Sequence, residues 1–273
     1  MMRHHAQTGL LALMFATLVA ESAAAQATRT FEPVFAQPGK DVVWVPTPEV
    51  MVDLMLDMAS VTPEDVVVDL GSGDGRLVIA AARRGARARG VEYNPDMVRL
   101  AKDRAIEAGV QARATFVEGD MFEADISKAT VLALFLLPHN LNKLTPKFLS
   151  LPPGSRIVGN TFAPEGWAAD ESETISGDCT SWCTSLLWIV PAKVEGAWKL
   201  PTGELTLKQE FQMVSGTLTN GGASTAVSGK LRGDQITFTA GNTEYTGHVK
   251  GDRIEGSATS GGSTTNWAAS RAK

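Results

Sequence analysis

Short runs rich in apolar residues alternate with segments of helical periodicity between Val66 and Val190. The apolar runs predict strands at residues 66–68, 88–93, 114–117, 131–137, 156–162 and 186–190. A run that is apolar at every position, such as 66–68, is typical of a parallel strand buried on both faces of its sheet. Strands that alternate with helices imply right-handed crossovers. The predicted fold class is therefore α/β, with a doubly wound, mainly parallel, Rossmann-like sheet.

Capping signals mark the ends of the predicted helices. Thr47 is a good N-cap and Pro48 suits the first helical position, so the first helix is expected to begin there. Asn94, which is also followed by proline, is expected to open a later helix in the same way. Gly85 and Gly109 are expected to end two helices, because glycine readily adopts the left-handed conformation that follows a helix. The helices are thereby placed between the strands, as a doubly wound sheet requires.

The composition changes near Trp198. Residues 199–273 contain 12 of the 26 glycines and no clear helical period. The segment Gly229–Ile236 recurs 18 residues later as Gly247–Ile254, and the Gly-Asp pair within each copy predicts a hairpin turn. We expect residues 199–273 to form a small C-terminal antiparallel β module of about seven short strands. Its expected core, which also leans on the preceding domain, comprises Phe211, Ile236, Phe238, Tyr245, Ile254 and Trp267.

The first 25 residues have the features of an export signal. Arg3 gives a positive start, an apolar run covers residues 9–20, and Ala23 and Ala25 supply the small residues that precede a cleavage site. An uncleaved anchor is the alternative, although the run is shorter than the ~20 apolar residues that span a bilayer. We expect cleavage after Ala25, a periplasmic or secreted protein with no transmembrane segment in the mature chain, and a loose arm at residues 26–44.

Charge and composition exclude some classes of partner. The formal net charge is −5, and no run of lysine or arginine forms a basic stripe, so nucleic acid is not an expected partner. The chain is 44% hydrophobic, which is enough to bury a core.

Cys179 and Cys183 are the only cysteines. Without further cysteines or a nearby histidine they do not predict a zinc site, and no metal site is expected. An exported protein favours a disulfide, but in an extended strand the two Cα atoms would lie about 13 Å apart, beyond the ~7 Å that a disulfide spans. A bridge therefore requires a turn or helical segment at residues 180–182, and the sequence leaves open whether it forms.

The stretch Asp69-Leu-Gly71-Ser72-Gly73-Asp74-Gly75 lies between a predicted strand and a predicted helix, where glycines let the backbone approach a ligand closely. The nicotinamide fingerprint is Gly-x-Gly-x-x-Gly, whereas this loop is Gly-x-Gly-x-Gly. Asp69 and Asp74 flank the turn where the pyrophosphate of a dinucleotide would lie. A carboxylate about 5 Å from a phosphate charge costs roughly 3 kcal/mol at an effective dielectric near 20. S-adenosylmethionine carries no phosphate but a sulfonium and an ammonium. The loop thus favours S-adenosylmethionine, with Asp69, Gly71, Ser72, Gly73 and Gly75 as expected cofactor-binding residues.

Two further acids follow successive strands. Glu92 ends the second strand, 21 residues after Gly71, at the spacing of a carboxylate that takes the ribose hydroxyls. Asp120 follows the third strand and is suited to accept a hydrogen bond from the adenine amino group, with Met121 beside it. Because the carboxyl ends of parallel strands share one edge of the sheet, these residues are expected to complete the cofactor site.

Five segments together resemble a known family: Val45–Pro48, Val66–Arg76, Gly90–Pro95, Ala129–Pro138 and Pro153–Arg156. They are similar to segments of the small lysine N-methyltransferases that act on the ATP synthase c subunit, which are class I methyltransferases. The resemblance extends from about Val42 to Trp167, so residues 45–198 are expected to be the methyltransferase domain. It implies S-adenosylmethionine as cofactor, methyl transfer to a protein lysine, and a contact between Thr47 and the cofactor. The glycine-rich tail has no counterpart in that family.

The acceptor site of class I enzymes follows the fourth strand, here near His139 and Asn140. Methyl transfer depends mainly on positioning, although an amine must lose a proton before it attacks. His139 is a candidate base and Asn140 a candidate holder of the acceptor. Alternatively, His139 caps a helix that starts near Leu141.

The sequence thus predicts an S-adenosylmethionine-dependent methyltransferase whose acceptor is a protein lysine or a small molecule with a reactive oxygen or nitrogen. The alternative is an exported protein that binds an adenosyl-type ligand without catalysis, with the β module as a docking element.

Overall fold

The structure is a computed structural model that describes residues 31–177 and 179–272. The predicted signal peptide at residues 1–25 lies outside the described residues. Within them, no helix is long and apolar enough to cross a lipid bilayer.

One mixed sheet with flanking helices occupies the first part of the described chain. Its elements are α1 (Glu49–Met58), β1 (Val66–Leu70), α2 (Arg76–Arg83), β2 (Arg87–Glu92), α3 (Pro95–Glu107), β3 (Ala114–Glu118), β4 (Val131–Leu134), α4 (Pro138–Phe148), β5 (Arg156–Asn160), β6 (Glu171–Thr174) and β7 (Thr184–Ile189). The strand order is β3-β2-β1-β4-β5-β7-β6. Strands β1 to β5 pair in parallel, and β7 runs antiparallel to both of its neighbours. The doubly wound, mainly parallel sheet predicted from the sequence is confirmed.

The helices cover both faces of this sheet. Buried side chains of α1, α2 and α3 share one apolar cluster with Val67 of β1. Buried side chains of α4 share the other cluster with Val68 and Leu70. Successive residues of β1 thus point into opposite layers, which explains why its sequence is apolar without alternation.

Helix α1 begins one residue later than predicted. Pro48 occupies the N-cap position with φ −54° and ψ 140°, and its carbonyl accepts the first helical hydrogen bonds, from Met51 N and Val52 N. Thr47 is therefore not the N-cap, and its carbonyl instead accepts a hydrogen bond of 2.7 Å from Arg76 Nη1. By contrast, the predicted cap of α3 is confirmed, since Asn94 Oδ1 accepts a hydrogen bond of 2.9 Å from Asp96 N.

Strands β4 and β5 end earlier than the apolar runs that predicted them. Strand β4 stops at Leu134 and β5 at Asn160, because the chain turns away at the carboxyl edge of the sheet. The residues that follow, among them Phe135 and Phe162, therefore lie in loops at this edge. Strand β6 carries no apolar signal, since all four of its residues are exposed, and the sequence did not predict it.

The C-terminal part forms a closed barrel of eight antiparallel strands. They are β8 (Gly196–Leu200), β9 (Gly203–Glu210), β10 (Met213–Asn220), β11 (Ala223–Arg232), β12 (Gln235–Ala240), β13 (Thr243–Lys250), β14 (Arg253–Ser260) and β15 (Ser263–Arg271). The antiparallel β module is confirmed: residues 199–273 hold the seven strands β9 to β15, and the eighth strand of the barrel, β8, begins three residues before this range. Pairing of β15 with β8 closes the sheet, through the two residue pairs Ser270–Lys199 and Arg271–Trp198.

The interior of the barrel holds most of the predicted core. Ile236, Phe238 and Ile254 are buried, and Tyr245 and Trp267 pack against the same cluster. Phe211 is the exception, because it packs outside the barrel: its ring stacks on Trp167 of the first part at a centroid distance of 5.3 Å. Next to it, Gln212 Nε2 donates a hydrogen bond of 2.7 Å to the carbonyl of Ala168. Of the predicted core, Phe211 is thus the residue that leans on the methyltransferase domain.

A chain that ends near Val194 is expected to keep its affinity for S-adenosylmethionine and to melt at a lower temperature. Its sheet and glycine loop are intact, but one face of Trp167 loses the stacked ring of Phe211. Calorimetry and thermal unfolding check both expectations, with Phe211→Ala in the full chain as control for the lost contact. A shortened protein that remains folded but no longer binds the cofactor would mean that the barrel completes the site.

Candidate functional site

A pocket opens at the carboxyl edge of the parallel strands. Its walls include Gly71 of the loop after β1, Glu92 at the end of β2, Asp120 and Met121 after β3, and Leu136 after β4. Four of these five residues were predicted to bind the cofactor, and the topology brings them together because consecutive parallel strands end at the same edge.

The N-terminal arm forms the other wall. Residues 37–45 line the pocket, and a bridge between Pro38 and Val43 folds them into a small hairpin. Ala36 N and Trp44 O, and likewise Trp44 N and Gln37 O, are hydrogen-bonded at 2.9 Å. The described part of the arm is therefore folded, whereas the sequence predicted a loose arm at residues 26–44. Its partner is the glycine loop, because Trp44 lies directly over Gly73.

The three glycines of the loop have different roles. All have positive φ, of 78° at Gly71, 51° at Gly73 and 82° at Gly75. A Cβ on Gly73 would lie 2.7 Å from Trp44 Nε1, and a Cβ on Gly75 would lie 2.7 Å from the ring of Phe116. Gly73 thus makes room for the arm, whereas Gly75 lets α2 pack closely against β3. Of the three, Gly71 lines the pocket.

Glu92 is held in place by the loop that it faces. Its Oε2 accepts a hydrogen bond of 2.9 Å from Gly73 N, and its Oε1 accepts one of 2.9 Å from Asn94 N. A carboxylate has about four acceptor positions, so about two stay free for other donors. An oriented carboxylate on the pocket wall is suited to the pair of ribose hydroxyls.

Asp120 is paired with the arm. Its Oδ2 accepts a hydrogen bond of 2.5 Å from Lys40 Nζ, and its Oδ1 accepts one of 2.8 Å from Phe122 N. The bond from Lys40, followed by that from Phe122, lowers the pKa of Asp120, so the carboxylate is ionised. Lys40 also lies 5.0 Å from the ring centroid of Tyr93. An adenine amino group that binds Asp120 has to share this carboxylate with Lys40.

Asp69 is a buried acid beneath the loop. Burial raises the pKa of Asp69 well above its usual range, and the negative charges of Glu92 and Asp74 raise it further. No hydrogen bond from the described part of the chain offsets these effects on its pKa. A buried carboxyl without a partner fits the ammonium group of S-adenosylmethionine, which would supply the missing charge.

Asp74, the second acid of the loop, is neutralised within the chain. It forms an ion pair with Arg76, at 2.6 Å between Nη2 and Oδ2, and a second one with Arg104. Burial opposes the ionisation of Asp74, but the hydrogen bonds and charges of these arginines outweigh it and lower the pKa. The expectation that both loop acids attract a cationic ligand is therefore wrong for Asp74, because Arg104 approaches from α3, 30 residues along the chain.

Five predicted cofactor residues do not line the pocket: Thr47, Asp69, Ser72, Gly73 and Gly75. Thr47 is buried behind it, where its carbonyl binds Arg76. Ser72 is buried too, and its Oγ faces β2: a Cβ on Gly90 would lie 2.4 Å from it. Within the described residues this oxygen has no hydrogen-bond partner.

His139 and Asn140 lie in the first turn of α4. Leu137 is the N-cap of this helix and its carbonyl accepts hydrogen bonds from Asn140 N and Leu141 N, so His139 does not cap it. His139 is exposed and Asn140 is buried, with an Nδ2 that finds no acceptor among the described residues. Neither is part of the pocket wall. Their proposed roles as base and as holder of the acceptor stay predictions.

The sequence did not point to Lys40 and Trp44 as parts of the site. Both precede the first predicted helix in a polar segment, and their contacts with Asp120 and Gly73 depend on how the chain folds back. An aromatic residue directly before the Val45–Pro48 motif was the available signal.

Cys179 and Cys183 form a disulfide across a turn, with their Cα atoms 5.7 Å apart. The turn that a bridge requires is thus present. Within residues 31–177 and 179–272, no group of three or more histidine, cysteine or acidic side chains is placed to hold a metal ion.

Comparison with known proteins agrees with this site. Residues 69–171 match the domain family described as the ANTKMT methyltransferase domain. The protein-lysine N-methyltransferase of Saccharolobus islandicus (strain REY15A) is 44% identical over 133 residues, which are 48% of this chain and 83% of that protein. The lysine N-methyltransferase of the ATP synthase c subunit from Mus musculus is 37% identical over 42% of this chain, which spans 47% of that protein.

A solved structure is similar as well. The crystal structure of an RNA methyltransferase from Salinibacter ruber in complex with S-adenosyl-L-homocysteine superposes with a TM-score of 0.52 and 47% sequence identity, over 55% of this chain and 96% of that one. The pocket, the buried Asp69 and these similarities agree on one cofactor. The chain therefore belongs to the family of class I S-adenosylmethionine-dependent methyltransferases that includes the Saccharolobus protein-lysine N-methyltransferase, and it carries a C-terminal β-barrel in addition.

Proposed function

We propose that this methyltransferase acts on the side-chain amine of lysine residues in a protein. The observation that carries the proposal is the 44% identity to the Saccharolobus protein-lysine N-methyltransferase over 83% of that protein's length. The mouse relative, which by its name modifies a lysine of the ATP synthase c subunit, supports the same acceptor chemistry.

S-adenosylmethionine supplies an electrophilic methyl group on a sulfonium. In the proposed reaction the neutral lysine nitrogen forms the new bond to the methyl carbon, the bond from carbon to sulfur breaks with its electrons going to sulfur, and the nitrogen releases a proton. The chain's part is to bind and orient. Asp69 is placed for the ammonium, Glu92 for the ribose and Asp120 for the adenine, and His139 is the candidate that receives the proton.

RNA is the second candidate acceptor, since the Salinibacter ruber protein is described as an RNA methyltransferase. Proteins that bind nucleic acid obtain most of their affinity from lysine and arginine at the phosphates. This chain has 25 such residues against 30 acids and no basic run. Its charge therefore favours a protein acceptor.

A transfer assay with methyl-labelled S-adenosylmethionine tests the proposal. The purified protein is incubated with an envelope protein extract and, separately, with total RNA, and Gly73→Val serves as the inactive control. We expect label in protein, recovered as methyl-lysine after acid hydrolysis. Label in RNA, or only in small molecules, would refute the lysine proposal. Cofactor binding without any transfer would favour the non-catalytic alternative.

We also propose that the protein is exported, on the strength of Arg3, the apolar run at residues 9–20 and the small residues before Gln26. The Cys179–Cys183 disulfide supports this proposal, because disulfides persist mainly in oxidising compartments. Protein recovered from cells is expected to begin at or near Gln26, as measured by N-terminal sequencing or intact mass. A full-length N-terminus in the soluble cytosolic fraction would overturn the proposal.

A further inference from the structure

Three aromatic side chains meet beside the cofactor pocket. The ring of Phe135 stacks on Phe162 at a centroid distance of 6.1 Å and meets Trp182 edge-on at 5.9 Å. All three are half-buried. We call these three residues the aromatic cluster.

The cluster is assembled from three separate segments at the carboxyl edge of the sheet. Phe135 directly follows β4 and is itself part of the wall of the cofactor pocket. Phe162 follows β5, and Trp182 lies in the turn between β6 and β7. The cluster therefore adjoins the cofactor pocket through Phe135.

Two of the three aromatic residues depend on unusual backbone conformations. Thr161, directly before Phe162, has φ 62°, and Phe162 N donates a hydrogen bond of 2.7 Å to the carbonyl of Asn160 across it. Trp182 itself has φ 57°. Residues other than glycine rarely adopt such values and hold them only where the surroundings impose them, often at binding sites. The fold thus imposes the positions of Phe162 and Trp182.

The disulfide constrains the turn that carries Trp182. Cys179 and Cys183 close a loop of five residues around it, and Ile175 N donates a hydrogen bond of 2.9 Å to the carbonyl of Cys183 at its base. A cross-link of this kind removes many alternative conformations of the loop. The bridge therefore restricts Trp182 to positions near Phe135.

We propose that the aromatic cluster is the wall of the acceptor site, that it binds the aliphatic stem of a lysine side chain and the positive charge that the lysine nitrogen acquires during the transfer, and that the Cys179–Cys183 disulfide keeps Trp182 in this wall. The proposal rests on the proposed lysine methyltransferase function. Aromatic faces attract ammonium groups within about 6 Å of the ring centroid and also cover apolar stems. During the transfer, positive charge moves from sulfur to nitrogen, so the same faces stabilise the transition state and the methylated product.

Nuclear magnetic resonance of the indole N–H groups tests the proposal without an activity assay. The resonance of Trp182 is assigned as the one that Trp182→Phe removes, and Trp198, whose Nε1 binds Val194 O inside the barrel, is the internal control. Full-length protein saturated with S-adenosyl-L-homocysteine is titrated with N-acetyl-trimethyl-lysine amide. A parallel titration uses the neutral analogue in which carbon replaces the charged nitrogen.

We expect a saturable shift of the Trp182 resonance with the cationic probe, about tenfold weaker affinity for the neutral analogue, and no shift of Trp198. Reduction of the wild-type protein, or the pair Cys179→Ser and Cys183→Ser, is expected to abolish the response of Trp182 while Trp198 keeps its folded position. If the double variant fails to fold, reduction of the folded wild-type protein still tests the role of the disulfide.

Three results would overturn the proposal. They are an unmoved Trp182 resonance in protein that binds S-adenosyl-L-homocysteine, equal affinity for the charged and neutral probes, and an unchanged response after reduction. Methyl transfer to lysine together with an unmoved Trp182 resonance would refute the aromatic cluster as the acceptor wall but leave the proposed function standing. Absence of lysine transfer would refute the proposed function by itself.

Discussion

Asp69→Asn is expected to weaken the binding of S-adenosylmethionine at least about 30-fold, because removal of one partner of a buried charge pair costs roughly 2 to 5 kcal/mol. The same variant is expected to stabilise the empty protein at neutral pH. Burial, followed by the charges of Glu92 and Asp74, raises the pKa of Asp69 in the folded state. In the empty protein, ionisation of the Asp69 carboxyl is therefore unfavourable. The ammonium group of the cofactor compensates the charge of the carboxylate and removes this cost.

The direction of the pH dependence follows from this raised pKa. Above the ordinary pKa of 3.8 the unfolded chain releases the Asp69 proton, whereas the folded protein keeps it up to its own higher pKa. The stability of the empty protein consequently falls as pH rises between these two values, and Asp69→Asn removes that loss. Affinity for the cofactor rises over the same range, because binding to the protonated site has to release a proton. Calorimetry in buffers of different ionisation enthalpy measures how many protons are released when the cofactor binds.

Asp74→Asn is the matched control, with the opposite effect on stability. The carboxyl of Asp74 is 2% exposed and paired with Arg76 and Arg104. Its removal takes this charge from both arginines, although Arg76 keeps Glu49 and the Thr47 carbonyl, and lowers the free energy of unfolding by roughly 1 to 3 kcal/mol. If Asp69→Asn destabilised the empty protein as Asp74→Asn does, or bound the cofactor like the wild type, Asp69 would not be the partner of the ammonium.

Gly73→Val is expected to abolish cofactor binding in a protein that remains folded. A Cβ at this position would lie 2.7 Å from Trp44 Nε1, and φ is 51°, which a β-branched residue adopts only under strain. Both effects displace the arm and the N–H group that holds Glu92. Calorimetry should detect no binding, while circular dichroism stays that of the wild type.

Gly109→Val is the control that separates the clash of Gly73→Val with Trp44 from the backbone strain of placing valine at a positive φ. Gly109 has φ 70° at the end of α3, but no atom lies within 4 Å of a Cβ placed there. This variant is expected to lose some stability and keep its cofactor affinity. Equal affinities of Gly73→Val and the wild type would exclude the glycine loop as the cofactor site.

The sheet and four residues of the pocket wall could be predicted from the sequence, because their signals are local. Apolar runs mark β1 to β5, Glu92 is the last residue of β2, and Asp120 lies two residues after the end of β3. Strand β6 could not be predicted, since an exposed edge strand of polar residues has no apolar pattern.

Contacts between distant segments account for the other differences. Trp44 folds over Gly73, Lys40 reaches Asp120 from 80 residues away, and Phe211 leaves the barrel core to stack on Trp167. Arg104 neutralises Asp74 from a different helix. No spacing within the sequence encodes these pairs, because each forms only when the fold has brought both segments to one place.

The acidic pocket is suited to a sulfonium cofactor and not to a dinucleotide. The most direct test is a calorimetric titration of the purified protein with S-adenosylmethionine, S-adenosyl-L-homocysteine and NAD. We predict that the first two bind at one molecule per chain and that NAD does not bind, because its pyrophosphate would have to lie at the glycine loop, next to the Glu92 carboxylate that this loop already binds. Binding of NAD by a protein that ignores S-adenosylmethionine would contradict this assignment.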